Sequence, residues 1–525
     1  MRRHVGLGFG SALGVLLLSG CAPNWSSGLV TVNAAGTASG NGTSGDVYDG
    51  NWGFDFEYSL SADGTKLAFF SRANDLVTDD TNPEPDIFVR DLTTGTTELV
   101  SVDASGAPVP QEASLRPVIS ADGTRVLFFS VAQLAVNDRN SRWDLYVRDL
   151  TAGTTTLVSV NAAGTDGAGA ALSSDDTPAF SPDGTKVAFV ADATDLGPVD
   201  TAVCPIPPRP GAPLSSPCVD VYLRDLTTGT TTLISGNATR TDTLEGHSQG
   251  PVFSPDGNAV AYQSTNRLPG QGNPSTLQVY RRDLTSGALD LVSVNASGTG
   301  SANGHSYDPM YSPDGDLVFR STAWDLVVSD GEQGQWYVRD ADGTTTSSLV
   351  PGVGTGGEPP SFNADGTVVA FSSDGNDIAP GDIQGFSDVF VYDRTEGTLT
   401  LASRLPDGGM TDSHSSRAVL DPAGTKVAFT SSARNLSPEV PACEVDAYPS
   451  PQICFQQVYV RDLEEGTTSR VSSGPDGEAG DGWDSMSGGP TFLPDGRVLY
   501  ASRAGNLSEV PDTNDTWDIF LATPE

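Results

Sequence analysis

A four-residue turn of the form Ser-x-Asp-Gly recurs along the whole chain and limits the folds open to it. Five copies keep every defined position and lie at residues 61–64, 120–123, 181–184, 254–257 and 312–315. Three variant copies lie at 363–366, 421–424 and 493–496. Neighbouring turn glycines are about 60 residues apart on average, a period that indicates a repeat architecture rather than a set of unrelated domains.

Each turn joins two short runs that alternate apolar and polar residues, which is the pattern of β-strands. In the third copy these runs are 178–180 and 186–190, and the Asp-Gly pair supplies the positive φ of a tight hairpin. A third run follows, such as 221–226, and after a Thr/Gly turn comes a fourth. Four short antiparallel strands repeated eight times predict an all-β, eight-bladed β-propeller of four-stranded blades.

The two ends of the chain predict how this ring closes. The last repeat stops after its third strand, at residues 517–521. Residues 28–37 match the fourth-strand segment 156–165 almost residue for residue. We therefore expect residues 28–33 to supply the missing fourth strand of the last blade, which removes the exposed edges of an open array.

The repeat resembles a known family. The segment Ser-Pro-Asp-Gly-x-x-[Val/Ile]-Ala-Phe, as at 181–189, is similar to the WD40-like (PD40) propeller repeat of the TolB family. The resemblance covers residues 28–525 and implies a propeller. It implies little about activity, because one fold hosts many functions.

The N-terminus has the pattern of an export signal. Arg2 and Arg3 precede an apolar stretch at 5–18, which is too short to span a membrane. The stretch ends in Leu-Ser-Gly-Cys at 18–21, which resembles a bacterial lipobox and implies lipidation of Cys21. We expect a signal peptide at 1–20, a lipidated tether at 21–27 and a single propeller at 28–525, on the extracytoplasmic face of the membrane. The alternative is an ordinary secretory signal with an incidental cysteine.

The other four cysteines form two local pairs. Cys204 lies close to Cys218 along the chain, and Cys443 lies close to Cys454. In an exported protein this spacing predicts two disulfides, each closing a short loop.

The charge of the chain excludes one class of partner. It has 28 Lys and Arg against 67 Asp and Glu, a formal net charge of −39. Such a field repels phosphate backbones, so no nucleic acid partner is expected. Contact with the membrane is expected through the lipid anchor only.

Acidic loops precede the third strand in four repeats, with oxygen-bearing side chains at fixed spacing. They comprise Asp80, Asn82 and Asp86; Asp138, Asn140 and Asp144; Asp382, Gln384 and Asp388; and Asp512, Asn514 and Asp518. Several oxygen ligands on a short loop suit a hard cation such as Ca²⁺. The alternative, which we favour, is that these side chains cap the turn by accepting hydrogen bonds from local N–H groups. No other cofactor is expected.

Three histidines share one position in their repeats. His247, His305 and His414 each lie ten residues before a turn glycine, and each is followed by serine. They are candidates for a ligand site at the channel, or for an inherited structural residue.

One motif suggests a nucleophile. Residues 246–250 fit Gly-x-Ser-x-Gly, the motif of the nucleophile elbow of hydrolases, but that motif needs a helix after it, and a strand is predicted here.

The sequence therefore favours a non-catalytic surface lipoprotein that binds an envelope protein, peptide or glycan through its irregular loops. The alternatives are an envelope glycan lyase or hydrolase with its site at the channel mouth, and a calcium-stabilised structural protein.

Overall fold

The computed structural model describes most of the chain. The described residues are 25–47, 55–56, 58–80, 82–109, 113–168, 177–197, 203–205, 215–236, 246–265, 276–327 and 335–525, the last range with gaps at 352, 356, 376–377, 380–381, 383–384, 406, 438–455 and 481–487. Cys21, Gln384, Cys443 and Cys454 lie outside them.

Eight four-stranded antiparallel sheets follow one another along the chain and confirm the eight-bladed propeller. From the channel outward, the strands of blades 1 to 4 are Tyr58–Leu60, Lys66–Ser71, Asp86–Asp91 and Thr96–Leu99; Ser114–Ile119, Arg125–Ser130, Asp144–Asp149 and Thr154–Leu157; Ala179–Phe180, Lys186–Ala191, Asp220–Asp225 and Thr230–Leu233; and Ser248–Phe253, Ala259–Ser264, Gln278–Asp283 and Leu289–Leu291. Those of blades 5 to 8 are Ser306–Tyr311, Leu317–Ser321, Gln335–Arg339 and Thr346–Ser348; Ser361–Phe362, Val368–Ser373, Asp388–Asp393 and Thr398–Leu401; Ser415–Leu420, Lys426–Ser431, Gln457–Asp462 and Thr467–Arg470; and Gly488–Phe492, Val498–Ser502, Asp518–Pro524 and Trp25–Leu29.

Two short hairpins lie outside the blades. They pair Asp46–Val47 with Asp55–Phe56 and Val203–Pro205 with Ser215–Pro217. Across the part of the chain that the structure describes, no helix is long and apolar enough to cross a membrane.

The two middle strands of each blade are apolar on both faces because neighbouring blades cover both. In Lys66–Ser71 every residue after the lysine is buried, and Asp86–Asp91 is buried over its first four residues. One aromatic side chain from each middle strand packs against the other in every blade, as Phe69 does on Phe88 with ring centroids 5.7 Å apart. These cross-strand pairs lock the register of the two strands.

The recurring turn is held by its own side chains. The Ser61 hydroxyl donates to Asp63 at 2.6 Å, and Asp63 accepts the backbone N–H of Thr65 at 3.0 Å. Gly64 has a φ of +68°, and a Cβ there would lie 2.7 Å from Pro494 in the turn of blade 8. The glycine therefore serves both the hairpin and the contact between adjacent turns.

The N-terminal strand closes the ring, as predicted, but its position differs. Trp25–Leu29 pairs antiparallel with Asp518–Pro524, with Leu29 opposite Phe520. The strand thus lies three residues before the expected 28–33 and takes up the end of the expected 21–27 tether. The reason is that Trp25 fills a site against blade 7, where its indole donates to Ser469 at 2.9 Å. Beyond Leu29, Thr31 turns inward and its hydroxyl donates to Asp518 at 2.5 Å.

Candidate functional site at the channel

The innermost strands of five blades carry a β-bulge at one shared position. The residues there have left-handed backbones: Arg116 (φ 54°), Gly250 (φ 61°), Asp308 (φ 52°), Arg417 (φ 56°) and Gly489 (φ 63°). A positive φ is unfavourable for an arginine residue, so the surrounding structure must enforce this backbone conformation. Bulges of this kind re-aim side chains next to functional sites.

The shared position places these bulges inside the channel. Arg116, Asp308 and Arg417 are each the third residue of a first strand. A first strand starts at the face of the ring that carries the irregular loops and ends at the face of tight turns. The bulges therefore lie just inside the channel at the irregular face.

Asp308 begins a line of contacts along the channel wall. Its backbone N–H donates to the side-chain oxygen of Gln263, in blade 4, at 2.8 Å. Desolvation by the wall raises the pKa of the Asp308 carboxyl, and Arg320 partly opposes this shift. The Arg320 guanidinium lies 5.6 Å from the ring centroid of Tyr307 and donates to the carbonyl of Gly357 at 3.3 Å.

The line continues through blades 6 and 7 to blade 1. A carboxylate oxygen of Glu358 accepts the backbone N–H of Arg417 and the hydroxyl of Ser372, both at 2.7 Å. Burial raises the pKa of Tyr58 to about 12, and the positive charge of Arg417 acts against this shift. The Tyr58 hydroxyl donates to the carbonyl of Gly489.

We name this set the channel arc. It comprises Tyr58, Gln263, Asp308, Arg320, Glu358 and Arg417. It combines arginine, which pairs with carboxylates in a planar geometry, with the Asp308 carboxyl, whose pKa is raised by desolvation. Sequence reasoning missed the arc because the bulge position carries Arg, Gly or Asp in different blades. A signal was present, since each bulge in blades 2, 4, 5 and 7 lies two residues after a serine that begins the first strand.

The three histidines are structural links between blades. The Nδ1 atom of His247 accepts the backbone N–H of Val219 at 3.2 Å, and Nδ1 of His305 accepts that of Leu277 at 3.2 Å. His414 accepts the N–H of Ser387 at 2.9 Å. Each bond joins one blade to the next, so the structure places the histidines in one register but does not bring them together into a site.

The acidic loops form capped turns. In blade 1 Asp80 accepts the N–H of Asn82 at 3.1 Å, and the Asn82 amide donates to Asp86 at 2.7 Å. The same two bonds recur from Asn140 to Asp138 and Asp144, and from Asn514 to Asp512 and Asp518. In blade 6 Asp382 accepts the N–H of Ile378 at 3.2 Å. Within the described ranges, no three His, Cys, Asp or Glu side chains form a group that could hold a metal ion.

The last residue of each acidic loop is also tied to its blade. The hydroxyl of Ser101 donates to Asp86 at 2.5 Å, and Ser403 donates to Asp388 at 2.6 Å. Burial is the largest effect on these carboxyls and raises the pKa of Asp86 to about 7 and that of Asp144 to about 6. These carboxylates therefore stabilise their own blades through hydrogen bonds.

Ser248, in the Gly-x-Ser-x-Gly motif, is buried, and its hydroxyl lies 2.8 Å from that of Ser264. The same serine pair joins first and second strands in blades 2, 5 and 7, so Ser248 is not placed as a nucleophile.

Cys218 is buried and disulfide-bonded. Its pairing with Cys204 stays a prediction, because the Cys204 side chain lies outside the description, as does the pair of Cys443 and Cys454.

No protein-family model matches the chain, and no curated protein is similar to it in sequence. Among solved structures, an oligogalacturonate lyase from Vibrio parahaemolyticus matches at 12% identity over 96% of this chain and 97% of that one, with a TM-score of 0.42. Dipeptidyl peptidase 4 of Porphyromonas gingivalis matches at 14% identity over 85% of this chain and 56% of that one, with a TM-score of 0.48. A protein assigned as TolB from Agrobacterium tumefaciens matches at 18% identity over 56% and 79%, with a TM-score of 0.30.

The eight four-stranded sheets, and not these matches, show that the chain is a β-propeller. At such low identity and TM-score the matches assign no reaction. They do correct one expectation. The sequence favoured a protein that is not an enzyme, whereas propellers of enzymes are prominent among the matched structures.

Proposed function

We propose that the chain is an envelope enzyme that acts on an acidic glycan at the channel arc. The observation that carries the proposal is the positive φ of Asp308 and Arg417, which lie at the same bulge position of two innermost strands. Left-handed arginine and aspartate persist in a fold only where the surroundings enforce them, and such strain concentrates at functional sites.

The chemistry of the arc suits a carboxylate-bearing sugar. Arg417 and Arg320 supply bidentate donors for the substrate carboxylate. Neutralising that carboxylate makes the adjacent C–H proton more acidic, which favours β-elimination. Asp308 is the candidate general base or acid, because its pKa is raised towards the working range of acid–base catalysis. Glu358 already accepts two hydrogen bonds, which suits it to position Arg417 rather than to react.

The location of the enzyme is part of the same proposal. An export signal with a lipidated Cys21 would hold the propeller at the extracytoplasmic surface, where envelope and environmental glycans occur. The closing strand begins at Trp25, so only three residues, 22–24, separate it from the lipidated cysteine. The Cys21→Ser variant would then leave the membrane fraction, which fractionation after a high-salt wash measures.

The activity test uses the purified full chain and a panel of uronate-containing and neutral oligosaccharides. Elimination gives an unsaturated product with ultraviolet absorbance, whereas hydrolysis gives new reducing ends without it. We expect Arg417→Ala and Asp308→Asn each to lower kcat/KM by at least about 100-fold, the scale of a lost transition-state contact. Arg90→Ala and Asp290→Asn, which lie outside the arc, are the matched controls.

The controls are expected to retain the activity of the parent chain. Loss of activity in the Arg417 and Asp308 variants, with unchanged melting temperatures, supports the proposal. Activity on neutral sugars alone, or equal activity in all four variants, would place the reaction away from the arc. Absence of turnover on every acidic glycan in the panel would overturn the proposed function.

A further inference from the structure

A reciprocal pair of hydrogen bonds holds the loop that follows the second strand of blade 5. The side-chain oxygen of Asn303 accepts the backbone N–H of Trp324 at 3.1 Å, and the carboxylate of Asp325 accepts the backbone N–H of Asn303 at 2.9 Å. The second strand ends at the face of the ring that carries the irregular loops. The two bonds therefore fix the backbone of Trp324 at that face.

The side chain of Trp324 has no role in the packing of the blade. It is 66% exposed. Its indole forms no hydrogen bond and no ring contact with the residues that the structure describes. An exposed indole is a flat apolar surface with one N–H donor at its edge, which suits a ligand that has both an apolar face and polar groups.

Two further donors lie beside this indole. The amide group of Asn303 donates no hydrogen bond to a described residue. His305 is exposed, and its Nδ1 accepts the N–H of Leu277 at 3.2 Å, so the proton of the neutral ring is on Nε2. The carbonyl of His305 accepts the N–H of Thr322, two residues before Trp324, at 2.8 Å. A flat ring with polar donors at its side suits a sugar, whose C–H face packs on the ring while its hydroxyls accept hydrogen bonds.

Blade 7 has the same reciprocal hydrogen bonds and presents an arginine in place of the tryptophan. Asp412 accepts the backbone N–H of Arg434 at 2.8 Å, and the side-chain oxygen of Asn435 accepts that of Asp412 at 3.1 Å. Arg434 is exposed, and its guanidinium forms no ion pair or hydrogen bond with any residue in the described ranges. An arginine left without a carboxylate partner, in a chain with 67 acidic residues against 28 basic ones, is available to a carboxylate of a ligand.

Both loops lie close to the channel arc along the chain. Trp324 is four residues after Arg320, a span of at most about 14 Å. Asp412, which holds Arg434, is five residues before Arg417, a span of at most about 18 Å. A glycan that is bound at the arc and leaves the channel at the irregular face therefore comes within reach of these two loops.

We propose that Trp324 and Arg434 form an outer subsite for the glycan that the channel arc binds. Trp324 stacks on one sugar ring, and Asn303 and His305 donate hydrogen bonds to its hydroxyls. Arg434 pairs with the carboxylate of another uronate unit of the same chain. This inference rests on the proposed function, because it takes the ligand to be an acidic glycan that enters at the arc. It adds that the protein selects long acidic chains over short ones.

The test measures the binding of uronate oligosaccharides of increasing length to the full chain by calorimetric titration. The Asp308→Asn variant is the common background, so that binding is measured without turnover. We expect Trp324→Ala to weaken the binding of long oligosaccharides by about 10-fold, since the sugar no longer covers the apolar ring. The affinity for the shortest oligosaccharide that binds should stay unchanged, and Trp324→Phe should restore most of the loss.

Arg434→Ala is the second arm of the test. It should weaken the binding of long acidic oligosaccharides by about 3-fold at low ionic strength, the scale of an exposed ion pair, and this loss should shrink as salt is added. Binding of neutral oligosaccharides should not change. The matched controls are Val136→Ala and Arg139→Ala, which remove an exposed apolar and an exposed basic side chain from the corresponding loop of blade 2. Both controls are expected to bind as the background chain does.

The outcomes separate this inference from the proposed reaction. Length-dependent binding that requires Trp324 and Arg434 supports the outer subsite, even if the parent chain turns over no acidic glycan. Equal affinity of the Trp324→Ala variant and its background for every length would overturn the outer subsite and leave a reaction at the arc standing. Equal losses in the blade 2 controls would also overturn it, and absence of binding to every acidic oligosaccharide would overturn both proposals.

Discussion

Removing the indole of Trp25 tests whether the ring depends on its closing strand. Trp25 is 6% exposed and packs in one cluster with Val471, Phe492 and Phe520, which ties blade 7 to blade 8. Truncating a buried aromatic residue to alanine costs about 3–5 kcal/mol. The hydrogen bond from its indole to Ser469 adds about 1 kcal/mol. We therefore expect Trp25→Ala to lower the free energy of unfolding by about 4–6 kcal/mol.

The assay is equilibrium unfolding in denaturant, followed by circular dichroism and by limited proteolysis of the C-terminal strand. Ser26→Ala is the matched control, because Ser26 occupies the same strand with its side chain exposed. The control should stay within about 0.5 kcal/mol of the parent chain. A loss below about 1 kcal/mol for Trp25→Ala, or an equal loss in the control, would refute the reasoning that the N-terminal strand holds the last blade in place.

Three further predictions concern groups outside the channel arc, and a fourth concerns salt. Ser248→Ala should lower stability by about 1 kcal/mol, seen as a reduced melting temperature, while the activity of a purified sample stays unchanged. Burial lowers the pKa of His247. Its contribution to stability is therefore present above the pKa that histidine has in the unfolded chain, and it is lost as the pH falls through the lower pKa of the folded state. The His247→Gln variant should lack this part of the dependence of stability on pH. Burial raises the pKa of Asp86 from 3.8 to about 7, so its contribution to stability has the opposite pH dependence. The contribution is fully present below pH 3.8 and is lost as the pH rises through 7. The Asp86→Asn variant should therefore show a smaller change of stability between these two pH values. The net charge of −39 repels an anionic substrate, so kcat/KM on acidic glycans should rise with added salt at low ionic strength, which a series of sodium chloride concentrations measures.

The architecture could be predicted from the repeat alone, because each motif of the repeat determines the conformation of residues close to it in the sequence. The Asp-Gly turn, the alternating runs and the Arg-Asp that ends the third strand each set the conformation of a few residues. At Asp91, for example, the carboxylate accepts the N–H groups of Thr93 and Thr94 and closes the next turn. Eight such units have one compact arrangement that buries both faces of every blade, which is why the blade number and the ring closure were predictable.

The position of the closing strand was less predictable because it depends on a neighbour. Residues 28–37 resemble 156–165, yet the resemblance alone does not show where pairing begins. Trp25 has no counterpart in that comparison, and its place against Ser469 of blade 7 extends the strand towards the N-terminus.

The candidate site required the tertiary structure, for a physical reason that applies to propellers in general. The sequence places similar residues at similar positions in each blade, but only the closed ring decides which of them face one another across the channel. His247, His305 and His414 have a shared position, and each accepts a hydrogen bond from the preceding blade. Asp308 and Arg417 differ in residue type, yet each is the third residue of a first strand and lies on a bulge with a positive φ. A site at a propeller channel is formed by residues of several blades, whereas a sequence repeat shows only the arrangement of residues within a single blade.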